Sequence, residues 1–300
     1  MTRTVPHISI CICTFRRQEL LKRLLIEIDR QESDDSFTYS VVVADNDVEQ
    51  SARSVVEDFL GQARVPVIYC VEPCRNIALV RNRAIAHADG DFIALIDDDE
   101  FPASEWLLNL FKICTQRGVS GVLGPVVPHF DTEPPKWLRE GAFYERPRHP
   151  TGFELRWTEC RTGNVLLRRC VLSQLDGPFR AEFENGGEDQ DFFRRALERG
   201  NTFVWCDEAI VHELVPPSRW SRRFMLSRAL LRGRNSIRHR GSRHRSVLKS
   251  MVAVPIYSLS LPLFLILGQH HFMRYLIKLA DHTGLLLGSL GFEPVRERRM

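Results

Sequence analysis

The sequence predicts an α/β protein with a mostly parallel sheet flanked by helices, followed by a helical C-terminal section that is both basic and apolar. Two patterns carry this. Short β-branched runs alternate with stretches of helical periodicity from His7 to Cys114, the order that parallel strands with right-handed crossovers impose. Between Leu214 and Ala280 there are thirteen Lys and Arg and no Asp or Glu, leaving twenty-eight basic against thirty-eight acidic residues elsewhere. A net charge of +3 therefore hides a mildly acidic body and a cationic tail section. Such a section suits anions, either lipid headgroups or nucleic acid.

The elements follow in order. His7 to Thr14 alternates Ile8, Ile10 and Ile12 with small residues, and Leu20, Leu21, Leu24, Leu25 and Ile28 recur at helical spacing, giving strand, turn, helix. Val41 to Ala44 is a second strand ending in Asp45-Asn46-Asp47, and Val65 to Val71 is a third. Ile77, Val80, Ala84 and Ala88 line a helix, Asp89-Gly90 turns the chain, and the unbroken apolar run Phe92 to Ile96 reads as a central parallel strand. Beyond a helix carrying Trp106 to Cys114, six prolines crowd residues 125–150, a stretch of the kind that forms functional loops. Regular pattern returns at Asn164 to Arg168, at a helix from Glu188 to Arg199, and at Thr202 to Cys206.

With 300 residues, 44% apolar and 26% charged, the chain matches an ordinary globular protein of one or two domains rather than a disordered, collagenous or polytopic one. The expected division is an α/β domain over residues 1–215 and a basic, apolar helical region suited to a membrane over 216–300. The eight cysteines lack paired metal-site spacings and read as buried, reduced thiols. With no signal peptide pattern at the N-terminus, a cytoplasmic location is expected.

Ligands of a parallel sheet gather beyond the carboxyl ends of its strands. Asp97-Asp98-Asp99-Glu100 follows a buried strand there, and so dense a set of carboxyls calls for a divalent cation, Mg²⁺ or Mn²⁺. A solvated turn capping the next helix is the alternative. Gly186-Gly187-Glu188-Asp189-Gln190-Asp191 opens a helix with three carboxyls; these either complement the helix N-terminus or present a general base to a substrate. Asp45 ends another strand, as a ribose or base contact or as a turn former. Arg75, Arg81 and Asn82 border the helix before the acidic strand and are candidates for phosphates or a base. His212, after Ala209 to Val211, is a metal ligand or a satisfied buried histidine. No GxGxxG follows the first strand, and there is no GxxxxGK[ST] or GxSxG, which removes the dehydrogenase, P-loop and α/β-hydrolase readings.

Taken together, "SICICTFRRQELLKRLL", "VVVADND", "RNIALVRNRAIAHADGDFIALIDDDE", "GNVLLRR", "GGEDQDFFRRALERG" and "AIVHELVPPSRW" resemble a family 2 glycosyltransferase of the Rossmann-like GT-A type over roughly residues 7 to 220. The resemblance implies that Asp97 and Asp99 are a DxD pair holding metal and donor diphosphate, with Asp98 and Glu100 as neighbours of undecided role. It matches Asp45 to a nucleoside contact, Thr14 to the first nucleotide loop, and Arg81 and Asn82 to the family's ARN segment. Asp189 matches the catalytic base with Glu188 beside it, and His212 falls where relatives place a histidine near the metal. Arg16 departs from the family's common Asn. The implied reaction is an inverting, metal-dependent transfer of a sugar from a nucleotide-diphosphate donor to a saccharide hydroxyl, on a lipid-linked acceptor, as in bacterial members that build surface polysaccharides. Competing readings are a polyprenyl-phosphate glycosyltransferase, whose anionic acceptor needs no base, and a non-catalytic sugar-nucleotide-binding subunit.

A nucleic-acid partner is not expected, because from Arg228 to Lys249 no stacking aromatic besides histidine accompanies the basic residues. An anionic membrane surface fits better. Trp220, Phe224 and Leu231 share a helical face, and Met251 to Leu267 is almost wholly apolar. That run falls short of the ~20 residues a span needs, and Pro255 and Pro262 are expected to break it, giving a re-entrant or in-plane segment.

Overall fold

The computed structural model describes residues 5–183, 186–236, 243–292 and 295. The chain opens with β1 (His7–Thr14), α1 (Gln18–Ile28), β2 (Thr38–Asp45), α2 (Arg53–Leu60), β3 (Val67–Val71), α3 (Ile77–His87) and β4 (Phe92–Asp97). It continues through β5 (Glu100–Pro102), α4 (Trp106–Arg117), β6 (Gly121–Leu123), β7 (Val126–His129), α5 (Lys136–Gly141), β8 (Asn164–Arg168) and α6 (Arg169–Ser173). Then come α7 (Glu188–Glu198), β9 (Phe203–Trp205), β10 (Val211–Leu214), α8 (Arg222–Asn235), α9 (Arg243–Leu267) and α10 (Gln269–Ser289).

Seven strands form one sheet in the order β3-β2-β1-β4-β8-β6-β9. The first four are parallel as expected, but β8 runs antiparallel to both β4 and β6. Strand alternation divides the core cleanly in two. Ile8, Ile10, Ile12, Val41, Val43, Ala94 and Ile96 pack on one face with α1, α2 and α4, whereas Cys11, Val42, Ala44, Ile93 and Leu95 pack on the other with α3 and α7. Registers align the strand ends: Thr14 lies opposite Asp45, and Cys13 opposite Asp97. Separately, β10 pairs antiparallel with β5, setting His212 opposite Phe101.

The chain divides into two compact units. The first runs to Val127 and resumes over Arg146–Glu213; the second comprises Pro128–Glu145 and the chain from Leu214 onward. The proline-rich stretch is thus shared between them, and its part with α5 belongs to the second unit. All eight cysteines are free; five are buried and Cys13 is half-buried, whereas Cys74 and Cys170 are exposed, against the expectation of burial.

In the second unit α8 and α10 pack closely. Met225, Ala229 and Gly233 are the buried face of α8, and Met273, Ala280, Gly284 and Leu285 that of α10. A Cβ at Gly233 would collide with the Asp281 carbonyl and one at Gly284 with the Leu230 carbonyl, so the backbones approach as only glycine permits. Arg232 donates to Asp281 at 2.9 Å across the same pair. Trp220 precedes α8 instead of sharing its face with Phe224 and Leu231, because Pro216 and Pro217 confine it to a 3₁₀ turn. The prolines of α9 do not interrupt it: the helix is continuous over 25 residues, and Ser246–Leu267 is long and apolar enough to cross a membrane. Part of the expected polybasic stretch, residues 237–242, lies outside the described residues.

Candidate active site

The carboxyl ends of β1, β2 and β4 lie side by side, and the acidic turn leaves β4 at this edge. Gly186 and Gly187, with φ of 106° and 99°, make the left-handed turn that starts α7, a conformation other residues adopt only with strain. Arg81 of α3 joins the two acidic segments. Its guanidinium is 3.3 Å from Asp97 Oδ1 and also pairs with Glu188 Oε1, while being itself buried. Burial opposes the charge on Arg81, yet the Glu188 and Asp97 carboxylates outweigh it and raise its pKa.

The members of the acidic turn differ sharply. Asp97 keeps 44% of its side chain exposed. Asp98 is buried; it accepts from Thr14 Oγ1 at 2.8 Å and from Arg17 at 2.7 Å. Arg17 also reaches Asp99 at 3.2 Å. Burial, reinforced by the Asp99 charge, pushes the Asp98 carboxyl up to about 6 against the pull of Arg17. Glu100 is also driven well above the usual range, by burial first and then by Asp97 and Glu213, and it accepts the Asp97 backbone N–H at 3.0 Å.

The acids of α7 also separate into distinct environments. Glu188 is buried, with its pKa raised by burial despite Arg81, and its Oε2 has no hydrogen-bond partner among the described residues. Asp189 is the accessible one, 18% exposed, with Arg161 at 3.9 Å. Asp191 is 0% exposed and held by Arg195 at 2.7 Å, Arg194 at 3.2 Å and Arg180 at 3.7 Å, a structural ion cluster closed to any substrate.

Other candidates take different places. Asp45 is fully buried, accepting from Asp47 N, Ala52 N and Tyr69 Oη, so it carries the turn after β2. Asn82 donates to the Phe179 carbonyl at 2.7 Å and accepts the Phe179 N–H at 3.1 Å, which clamps the segment leading to α7. His212 stacks on Phe101 with ring centroids 5.3 Å apart. Arg75 lies over the Phe15 ring at 4.7 Å. Arg17 and Arg161 were missed by the sequence reading: no local spacing links Arg17 to carboxylates more than eighty positions away.

Among the described residues, no group of three or more His, Cys, Asp or Glu is placed to hold a metal ion. The hard oxygens and the exposure of Asp97 nevertheless suit a Mg²⁺-type site, which takes one or two carboxylates and completes its shell with substrate phosphates and water. The residues fit such a shared site and not a cage made by protein alone.

The description "Glycosyl transferase family 2" matches residues 9–173. The chain is 36% identical over 238 residues to the succinoglycan biosynthesis protein ExoM of Rhizobium meliloti (strain 1021), covering 78% of this chain and 75% of that protein. Among solved structures it is similar to S. aureus TarS 1–349 in complex with UDP-GlcNAc, with a TM-score of 0.57 at 15% identity over 95% of this chain and 92% of that one. It is also similar to the mannosyltransferase PcManGT from Pyrobaculum calidifontis in complex with GDP-Man and Mn²⁺, with a TM-score of 0.59 at 17% identity over 96% and 74%. At these identities the structural likeness is one of fold.

Proposed function

The chain belongs to glycosyl transferase family 2, and from that premise we propose that it moves a sugar, with inversion and metal dependence, from a nucleotide-diphosphate donor to a hydroxyl of a lipid-linked saccharide in polysaccharide biosynthesis at the cytoplasmic face of the membrane. The observation that carries the reading is the Arg81 bridge. One buried guanidinium ties the strand-end Asp97 to the first residue of α7, and the next residue, Asp189, remains accessible. Donor-side and acceptor-side carboxylates thereby share one anchored group. The biosynthetic setting is supported by the likeness to ExoM, and the donor class by the nucleotide sugars bound to the structural neighbours.

In this mechanism Asp189 takes the proton of the acceptor hydroxyl as that oxygen attacks the anomeric carbon from the face opposite the leaving group. Arg81 holds Glu188 in place behind it, so the base enters from a fixed helix end. Asp97 and Asp99 would hold Mg²⁺ or Mn²⁺, which when bound supplies positive charge against the nucleoside diphosphate as it departs. Thr14 and Arg17 hold Asp98, and Arg17 also steadies Asp99.

The test is Asp189→Asn, which preserves shape but accepts no proton. Loss of a general base costs ~10²–10⁴ in rate, so kcat should fall by that factor while donor affinity, measured by calorimetry with the unreactive donor analogue, stays the same. Turnover within a few-fold of the parent would remove the base and favour an acceptor that is already anionic, a polyprenyl phosphate.

A further inference from the structure

Helix α9 turns a mixed face of polar and apolar residues inward and a mostly apolar face outward. The side turned to α10 carries Ser250, whose Oγ is 2.9 Å from His282 Nδ1, and Tyr257, which meets the rings of Tyr275 and His282. Ser260 also lies on this half-buried side, and Phe264 stacks on Tyr275 at 3.5 Å. The opposite side presents Met251, Val252, Ile256, Leu259, Leu263 and Ile266, with Leu259 and Ile266 each 83% exposed. A helix whose outward side met water would carry polar residues there.

We infer that the outward face of α9 lies in the plane of an anionic lipid bilayer, seated at the boundary of headgroups and acyl chains. Charge selects this occupant. The section from Leu214 to Ala280 holds thirteen basic residues and no acidic one, with Arg243, Arg245 and Lys249 at the N-terminal end of α9 itself. Basic residues flanking an apolar helix face are the pattern of interfacial helices. A second copy of the chain is disfavoured, because pairing two such faces would bring like charges together.

The neighbour of α9 selects the in-plane disposition. The ammonium of Lys278 is 5.1 Å from the Tyr275 ring, which itself touches Tyr257 and Phe264 in the C-terminal half of α9. A spanning α9 would carry Lys278 and the rest of α10 to bilayer depth, where charge is costly. Lying flat, α9 immerses its outward side while α10 stays on the aqueous side.

The inference deepens the reading of a membrane-borne acceptor, and vesicle binding needs neither donor nor acceptor, so the two can fail separately. Full-length protein is floated with phosphatidylcholine vesicles with and without phosphatidylglycerol. Co-flotation is expected with the anionic vesicles, and Ile256→Ser/Leu259→Ser/Ile266→Ser should lower the floating fraction at least tenfold while the far-UV spectrum and transfer to a soluble saccharide persist. A parent protein that stays monodisperse at the bottom, or a triple variant that floats equally well, overturns the inference. So does a stable dimer that the triple variant splits, which would make a second copy the occupant. Nitroxides at positions 252, 259 and 266 in a Cys74→Ser/Cys170→Ser background should report equal shallow depths. A maximum at 259 overturns the in-plane disposition in favour of a span.

Discussion

The sheet unit and the helical unit of this chain solve opposite problems with the same residue types. Around the sheet, Ile, Val and Leu are enclosed, and buried charges such as Arg81 and Asp191 are paired, Arg81 with Glu188 and Asp97, Asp191 with three arginines. In α9, Ile and Leu face outward while polar and apolar residues together face the neighbouring helix. An apolar side chain stabilises only relative to the medium around it. The sheet unit is organised against water throughout, and α9 is organised against water on one side alone.

The sharpest way to break the first half of this comparison is Arg81→Met. It leaves two carboxylates without their counter-charge, one of them buried, and breaking a buried pair from one side costs ~3–5 kcal/mol. Urea unfolding should register that loss together with a collapse of turnover. Phe192→Ala comes next. This ring is fully buried between Phe179 and Phe193, and its truncation should cost ~3–5 kcal/mol, toward the lower end where neighbouring rings close in.

A smaller effect depends on pH. Asp98 sits at about 6 in the folded chain against an ordinary value of 3.8, so the folded state binds its proton more tightly than the unfolded state does. Its contribution to stability is therefore full below about pH 4 and is lost as pH rises through 6, a change of about 3 kcal/mol. Asp98→Asn should flatten this dependence, so that parent and variant converge or cross between pH 4.5 and 7.5 in denaturant titrations. Smallest of all is Leu259→Ser, the counterpart of Phe192→Ala in the other unit. Without lipid it should shift stability by no more than ~0.5 kcal/mol, as a surface change does; a core-sized loss would mean that this face is covered within the protein.

Much of the sheet was legible because its signals are periodic. Ile8, Ile10 and Ile12 repeat every two residues, Leu21, Leu24, Leu25 and Ile28 every three or four, and both periods survive into the fold. Asp97 was legible as a strand-end acid because the run before it is uniformly apolar. The reversed direction of β8 was not, since a short apolar run carries no mark of orientation. The distinct environments of Glu188, Asp189 and Asp191 were partly readable: Arg194 and Arg195 stand three and four positions after Asp191, the spacing at which helical side chains meet. Nothing local revealed that Arg17 serves Asp98 or that Asn82 clamps Phe179, because those partners are brought together only by the assembled fold. In α9 the composition was readable but the continuity was not: Pro255 and Pro262 both lie within an unbroken helix.

Helix α3 holds the segment before α7 at two points, Asn76 to the Ala181 carbonyl at 2.8 Å and Asn82 to Phe179, and between them it bears Arg81. A single rod therefore braces both the strand-end acid Asp97 and the start of α7. Under the proposed mechanism, a shift of α3 would disturb the acid on the donor side and the helix that carries the base together, because Asp97 and Glu188 both lean on Arg81. A substitution inside this rod is therefore felt at Asp97 and at the first turn of α7 at once.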